Sequence, residues 1–216
     1  MGKQVHMYDT QQEASFTPEQ ATERLLLRAG HKGELDVESC KRLLERGADI
    51  NVQEDDGAKG TALMYAVTHG DAALVAFLLL QGADVHIRSK SGFTALAMSV
   101  LSSYNSGIVT TLLDAGADVN ERYSDDQPLI AYAAERNLQD MVLFLAGRGA
   151  DIESSFGPDK TTLQEFVKKK GLPRMEEVVS GIARIRTRKK FEAAAAKGTI
   201  RKRPILRVRR DVKAPG

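Results

Sequence analysis

One eight-residue phrase returns four times in this chain, and its spacing sets what the chain can fold into. It reads Leu-Leu-Glu-Arg-Gly-Ala-Asp-Ile over residues 43–50 and Leu-Leu-Leu-Gln-Gly-Ala-Asp-Val over 78–85. It returns as Leu-Leu-Asp-Ala-Gly-Ala-Asp-Val over 112–119 and as Leu-Ala-Gly-Arg-Gly-Ala-Asp-Ile over 145–152. The glycines Gly47, Gly82, Gly116 and Gly149 are 35, 34 and 33 residues apart. A fixed period in the thirties is the signature of stacked repeats, each covering the apolar face of the next.

Each part of the phrase has a physical role. The apolar residues before the glycine fit the buried last turn of a helix. Glycine then ends the helix, because it enters the left-handed conformation at little steric cost. A second marker follows: Thr-Ala-Leu at 61–63, Thr-Ala-Leu at 94–96, Gln-Pro-Leu at 127–129 and Thr-Thr-Leu at 161–163. Its leucines are 33, 33 and 34 residues apart, so two separate markers keep one period.

With these motifs the chain resembles the ankyrin-repeat family. The stretch Thr61 to Asp84 carries the resemblance most fully: Thr-Ala-Leu-Met-Tyr-Ala-Val, then Gly70, then Leu-Val-Ala-Phe-Leu-Leu-Leu-Gln-Gly-Ala-Asp. The family's Thr-Pro-Leu-His becomes Thr-Ala-Leu-Met, Thr-Ala-Leu-Ala, Gln-Pro-Leu-Ile and Thr-Thr-Leu-Gln, so no copy keeps its histidine. The resemblance implies an all-α ankyrin-repeat solenoid of about five helix pairs over residues 17–185. Residues 1–16 read as a flexible polar lead and residues 186–216 as a basic extension.

The element bounds follow from cap and breaker residues. Thr17, Pro18 and Gln20 form a capping-box start for a helix to about Ala29, broken by Gly30 and Gly33. A second helix spans about Val37 to Arg46. Later pairs are expected near 62–68 and 72–81, 94–102 and 106–115, and 128–136 and 139–147, with one extra residue around Ser103. The fifth unit opens at Thr161, is broken by Gly171-Leu172-Pro173, and continues as a basic helix from Arg174 toward Lys197.

Composition narrows the function classes. No apolar run approaches the length of a membrane span, no signal-peptide pattern opens the chain, and His6 breaks the myristoylation motif. A single cysteine excludes an internal disulfide framework. These features lead to the expectation of a cytoplasmic protein, or a nuclear one in a eukaryote. The net charge of +2 hides an asymmetry: residues 180–216 hold 13 Lys or Arg and 2 acids, net +11. That leaves residues 1–179 with 18 basic and 27 acidic residues, net −9.

No constellation for catalysis stands out. His6, His31, His69 and His86 are dispersed without metal-ligand spacing, and no cofactor is expected. Cys40 lies seven residues before its glycine, as Val75, Val109 and Val142 do, so it reads as a core residue. Gly57-Ala-Lys-Gly60 lacks the spacing of a phosphate loop. The acidic pairs Asp55-Asp56 and Asp125-Asp126 fall on loops and read as solvated tips or partner contacts.

The resemblance implies binding through loop tips and the first helix of each pair. By register this marks Thr68 and His69, Leu101 and Ser102, and Glu135 and Arg136. The tips add Asp55, Asp56, Arg88, Lys90, Tyr123, Asp125, Asp126 and Phe156. Tyr123 and Phe156 are either interface anchors, as large rigid side chains often are, or rings folded back on their own repeats. The expected function is non-enzymatic capture of a protein partner, as adaptor or inhibitor, by a monomer or hetero-complex, with the basic C-terminal tail as a second contact. The alternative is a nucleic-acid-associated protein. Its tail residues Arg201, Lys202, Arg203, Arg207, Arg209 and Arg210 could neutralise about six phosphates, giving a salt slope of about −5. Arg188 belongs to the same basic tail, and Lys189-Lys190, ten residues, then Arg201-Lys202-Arg203 resembles a bipartite nuclear localisation signal.

Overall fold

A computed structural model describes residues 15–31, 34–54, 57–102, 105–123 and 126–196. Among the described residues, ten helices lie in five pairs: α1 (Pro18–Gly30) with α2 (Val37–Glu45), α3 (Ala62–His69) with α4 (Ala72–Leu80), and α5 (Ala95–Ser102) with α6 (Ser106–Asp114). Then come α7 (Leu129–Glu135) with α8 (Gln139–Gly147), and α9 (Leu163–Lys169) with α10 (Pro173–Ala196). The first helices of the pairs pack in sequence as one row, α1 on α3, α3 on α5, α5 on α7 and α7 on α9. The second helices form another layer, in which α4 meets α2 and α6, and α8 meets α10.

The recurring phrase explains this geometry atom by atom. All four motif glycines have left-handed backbone, with φ of 85° at Gly47, 91° at Gly82, 96° at Gly116 and 101° at Gly149. Around Gly47, its own N–H donates to Leu44 O at 2.9 Å and the Ala48 N–H donates to Leu43 O at 3.1 Å. That pair of bonds satisfies carbonyls left open by the helix end. The Ala-to-Leu bond recurs at Ala83, Ala117 and Ala150. The repeated aspartate then folds the next turn: Asp49, Asp84, Asp118 and Asp151 each accept from the backbone N–H two residues on, at 2.8–2.9 Å. Such local side-chain bonds are why Asp favours turns.

The residue after that turn links repeats. Asn51 Oδ1 accepts from Asp84 N–H at 2.8 Å, and Asn120 Oδ1 accepts from Asp151 N–H at 2.7 Å. Asp49 N–H donates to Thr22 Oγ1 at 2.8 Å. The core is continuous from Ala21 to Ile182. Cys40 is fully buried in it, at the place of Val75, Val109 and Val142, and burial pushes its thiol up to about 12.

Helix bounds fall within one residue of the sequence-based expectation, except the α9 start, two residues later than Thr161. At the starts that differ, the cap residue lies outside the helix: Thr94 and Thr162 accept from the N–H three residues on, as N-caps do, and Pro128 precedes α7. The Thr17 capping box forms with Gln20. Gly30 does not break α1 but is its last residue. The extra residue near Ser103 and the lead at 1–14 lie outside the described residues.

The division at residue 185 does not appear as a break. Helix α10 runs unbroken through it, and Arg186 donates to Ala146 O at 2.7 Å and Ala150 O at 2.9 Å. The guanidinium thereby caps the C-terminal end of α8, where carbonyls lack helical partners. Lys190 reaches Glu153 at 2.8 Å.

Candidate recognition surface

The loops between pairs form fingers that are tied to one another. Gln53 Nε2 donates to Lys59 O at 2.7 Å within its own finger and to Arg88 O at 2.8 Å in the next. Arg88 donates to Gly92 O at 2.6 Å and to Arg122 O at 3.3 Å one finger further. Arg122 pairs with Asp126 at 2.8 Å, and backbone bridges Arg122–Pro128 and Phe156–Thr161 close the last two fingers. A loop held at both ends and from both sides presents a defined surface.

Beside the fingers, the first helix of each of the last four pairs offers one large half-buried side chain four positions past its cap: Tyr65, Met98, Tyr132 and Phe166. Next along the helices come Thr68, Leu101, Glu135 and Lys169, then His69, Ser102, Arg136 and Lys170. The rings are held from the finger side. Phe93 sits 5.1 Å from Tyr123 and 5.9 Å from Tyr132, and Phe156 sits 5.3 Å from Phe166. Arg88 lies 5.7 Å over Tyr123, Arg136 5.0 Å over Tyr132, and Lys170 5.3 Å over Phe166. Cations over ring faces are attracted by the quadrupole. At Gly60 a Cβ would come within 2.9 Å of the Tyr65 ring, so glycine there makes room for the first member of the row.

Under the middle of the surface lies a buried carboxylate. Glu121 is 7% exposed, and Thr94 Oγ1 lies 2.7 and 2.8 Å from its two oxygens. Burial pushes its pKa up, against the opposing pull of Tyr123, Thr94 and Arg88. The Tyr123 hydroxyl is also buried, and burial together with the Glu121 charge pushes it far up. By contrast the Lys170 ammonium holds Glu135 below the usual carboxylate range.

The sequence-marked residues divide accordingly. Thr68, Ser102, Arg88, Lys90, Asp126, Glu135 and Arg136 are exposed, while His69 and Leu101 are half-buried on the same face. The two aromatic tips fold inward. Phe156 is 4% exposed, packed on Phe166, and Tyr123 lies against Phe93 with its hydroxyl buried. Phe156 is thus a support for Phe166 rather than an anchor, because ring packing gains more than solvent exposure of the same apolar area. Asp55, Asp56 and Asp125 lie outside the described residues, as do Arg201, Lys202, Arg203, Arg207, Arg209 and Arg210. Arg188, Lys189 and Lys190 are exposed on α10, where Arg188 pairs with Glu192 and Lys190 with Glu153.

Sequence reasoning missed the row Tyr65–Met98–Tyr132–Phe166. The reason is register. Leu63 and Leu96 are second residues of their helices, whereas Leu129 and Leu163 are first residues. Counting from the leucine therefore misaligns the last two repeats, and counting from the cap aligns all four. Among the described residues no group of three or more His, Cys, Asp or Glu is placed to hold a metal ion, and no helix is long and apolar enough to cross a membrane.

Stacked helix pairs with linked fingers define a helical-repeat solenoid. Ankyrin repeats, three copies, match residues 26–123 and 78–155, and the chain belongs to the ankyrin-repeat family. That family is generally a non-enzymatic interaction domain. Over 60 residues the chain is 48% identical to a rat protein named ankyrin repeat and SAM domain-containing protein 6, covering 27% of this chain and 7% of that protein. Over 63 residues it is 43% identical to the Caenorhabditis elegans ankyrin repeat and LEM domain-containing protein 1 homolog, covering 29% of this chain and 9% of that one. A Dirofilaria immitis protein named L-asparaginase is 32% identical over 147 residues, 67% of this chain and 24% of that protein. The chain thus spans less than a quarter of the length of these relatives.

Proposed function

We propose that the chain is a non-enzymatic adaptor or inhibitor that grips a protein partner between its fingers and the first helices of its repeats. The observation carrying this reading is the row Tyr65, Met98, Tyr132 and Phe166. Each member is half-buried, and Phe93 and Phe156 buttress Tyr132 and Phe166, so the exposed parts of those two rings are fixed before a partner arrives. Rigid aromatic surface costs little side-chain entropy on binding, and aromatic anchors are enriched among hot spots. Polar Thr68, Arg88 and Arg136 surround the row and supply direction. No catalytic role is assigned to any residue.

The test is a selection of peptide ligands from an unbiased display library, followed by titration calorimetry. Tyr132→Ala and Arg136→Ala are expected to weaken the selected ligands at least about tenfold, the effect of losing a hot-spot side chain. Ligands bound equally well by both variants would remove the basis of the reading.

A further inference from the structure

The second layer of helices carries a surface with a different character. Helices α4, α6 and α8 are nine residues each and together hold two charged residues, Asp114 and Asp140. At the chain-wide charged fraction of 28%, those twenty-seven residues would hold about seven or eight. Asp114 is moreover neutralised by Arg148, an ion pair that also ties the end of α6 to the end of α8. Helix α4, Ala-Ala-Leu-Val-Ala-Phe-Leu-Leu-Leu, has no polar side chain at all. Leu74, Val75 and Leu78 face its core, yet Leu80 is 83% exposed. A helix apolar all round is normally covered on every side.

Positions two, five and nine past each cap point away from the core. On α4 these are Ala73, Ala76 and Leu80; on α6, Gly107, Thr110 and Asp114; on α8, Asp140, Leu143 and Gly147. We propose that this back surface joins two copies of the chain about a two-fold axis running along α6. Such an axis lays α4 of one copy over α8 of the other, and a two-fold interface must be self-complementary. Leu80 then falls on Gly147, and Leu143, 49% exposed, falls on Ala76. Large meets small at both places.

The flanking helices extend the match. At the same positions α2 carries Glu38 and Lys41, and α10 carries Arg174 and Glu177. The same axis sets Glu38 against Arg174 and Lys41 against Glu177, opposite charges in both pairs. The other face-to-face two-fold axis, running across the helices, sets Glu38 against Glu45 and Lys41 against itself. The first axis also sets Asp114 against its own counterpart, but each copy's Asp114 is paired with Arg148, so charge selects the first. The three central helices span roughly 13 Å by about 30 Å at ordinary rise and spacing, about 400 Å² in projection. That is about half of what one partner contributes to a standard interface. The association is therefore reversible and depends on the charged flanks. The face with the aromatic row stays open, so a dimer presents two grips.

Sedimentation equilibrium on the full chain from about 1 to about 200 µM, a range suited to a small interface, tests this directly. A reversible monomer–dimer equilibrium is expected. Leu80→Glu, harmless to folding at so exposed a site, places two carboxylates in the interface and raises the dissociation constant roughly tenfold or more. Far-UV circular dichroism confirms its fold. Thr110→Cys lies on the axis facing its own counterpart, so mild oxidation gives a covalent dimer; native Cys40 is fully buried and does not compete. A wild-type chain monomeric across the range overturns the proposal. So does a Leu80→Glu dimer as tight as wild type, or a Thr110→Cys chain that does not cross-link at dimer-forming concentrations.

Discussion

Two glycines separate what the fold requires from what it merely tolerates. Gly149 has φ of 101°, and Gly181 lies inside α10; a Cβ built at either meets nothing within 4 Å. Alanine at both sites therefore tests backbone conformation without steric contact. At Gly149 the left-handed backbone costs alanine about 1–2 kcal/mol. The stiffer unfolded chain returns about 0.4–1 kcal/mol, leaving a net loss of roughly 1 kcal/mol. At Gly181 the backbone is already helical, so alanine gains about 0.5–1 kcal/mol. For a chain of this size that means Tm falling by about 2–4 °C at the first site and rising by about 1–4 °C at the second. Thermal unfolding followed by circular dichroism at 222 nm, the helix band about which α-helical signal is read, measures both. Shifts of the same sign, or a neutral Gly149→Ala, would refute the view that left-handed glycines end these repeats.

Further outcomes follow from the buried groups. The Glu121 carboxyl holds its proton more tightly folded than unfolded, so its contribution is full at low pH and is lost as pH rises through its raised pKa. Glu121→Gln keeps the shape without the charge. It is expected to be more stable than wild type near pH 7 and to converge with it near the ordinary carboxylate range; a less stable variant at pH 7 sinks the argument. Arg186→Ala removes two charge-assisted bonds to Ala146 O and Ala150 O. It should cost about 1.5–3 kcal/mol and speed amide exchange over residues 186–196, and unchanged exchange would show that this segment is held otherwise. His86 stands where Asn51 and Asn120 link to the next repeat. His86→Asn should add about 0.5–1.5 kcal/mol, read as a higher urea midpoint, and a lower midpoint counts against the asparagine ladder.

Much of this fold is written in single residues. Gly47, Gly82, Gly116 and Gly149 announce helix ends because only a left-handed residue closes the cap, and Thr17, Asp71 and Thr162 announce starts because their side chains accept an orphan N–H. Cys40 is legible as core because it keeps the valine register. What sequence could not carry is direction in space. Phe156 sits on a polar loop, yet its ring turns to Phe166, a choice made by tertiary packing. Glu121 lies in a loop, and the finger closure that buries it under Thr94 involves a partner 27 residues away. The row Tyr65–Met98–Tyr132–Phe166 was hidden by a one-residue shift of the leucine marker against the helix caps.

The most direct test of the recognition surface is hydrogen–deuterium exchange on the full chain with and without a display-selected ligand. The account predicts slower exchange in the fingers around Arg88–Phe93 and along α5 and α7, with α4 and α8 unchanged. Protection confined to α4, α6 and α8, with the fingers and first helices unaffected, would contradict it.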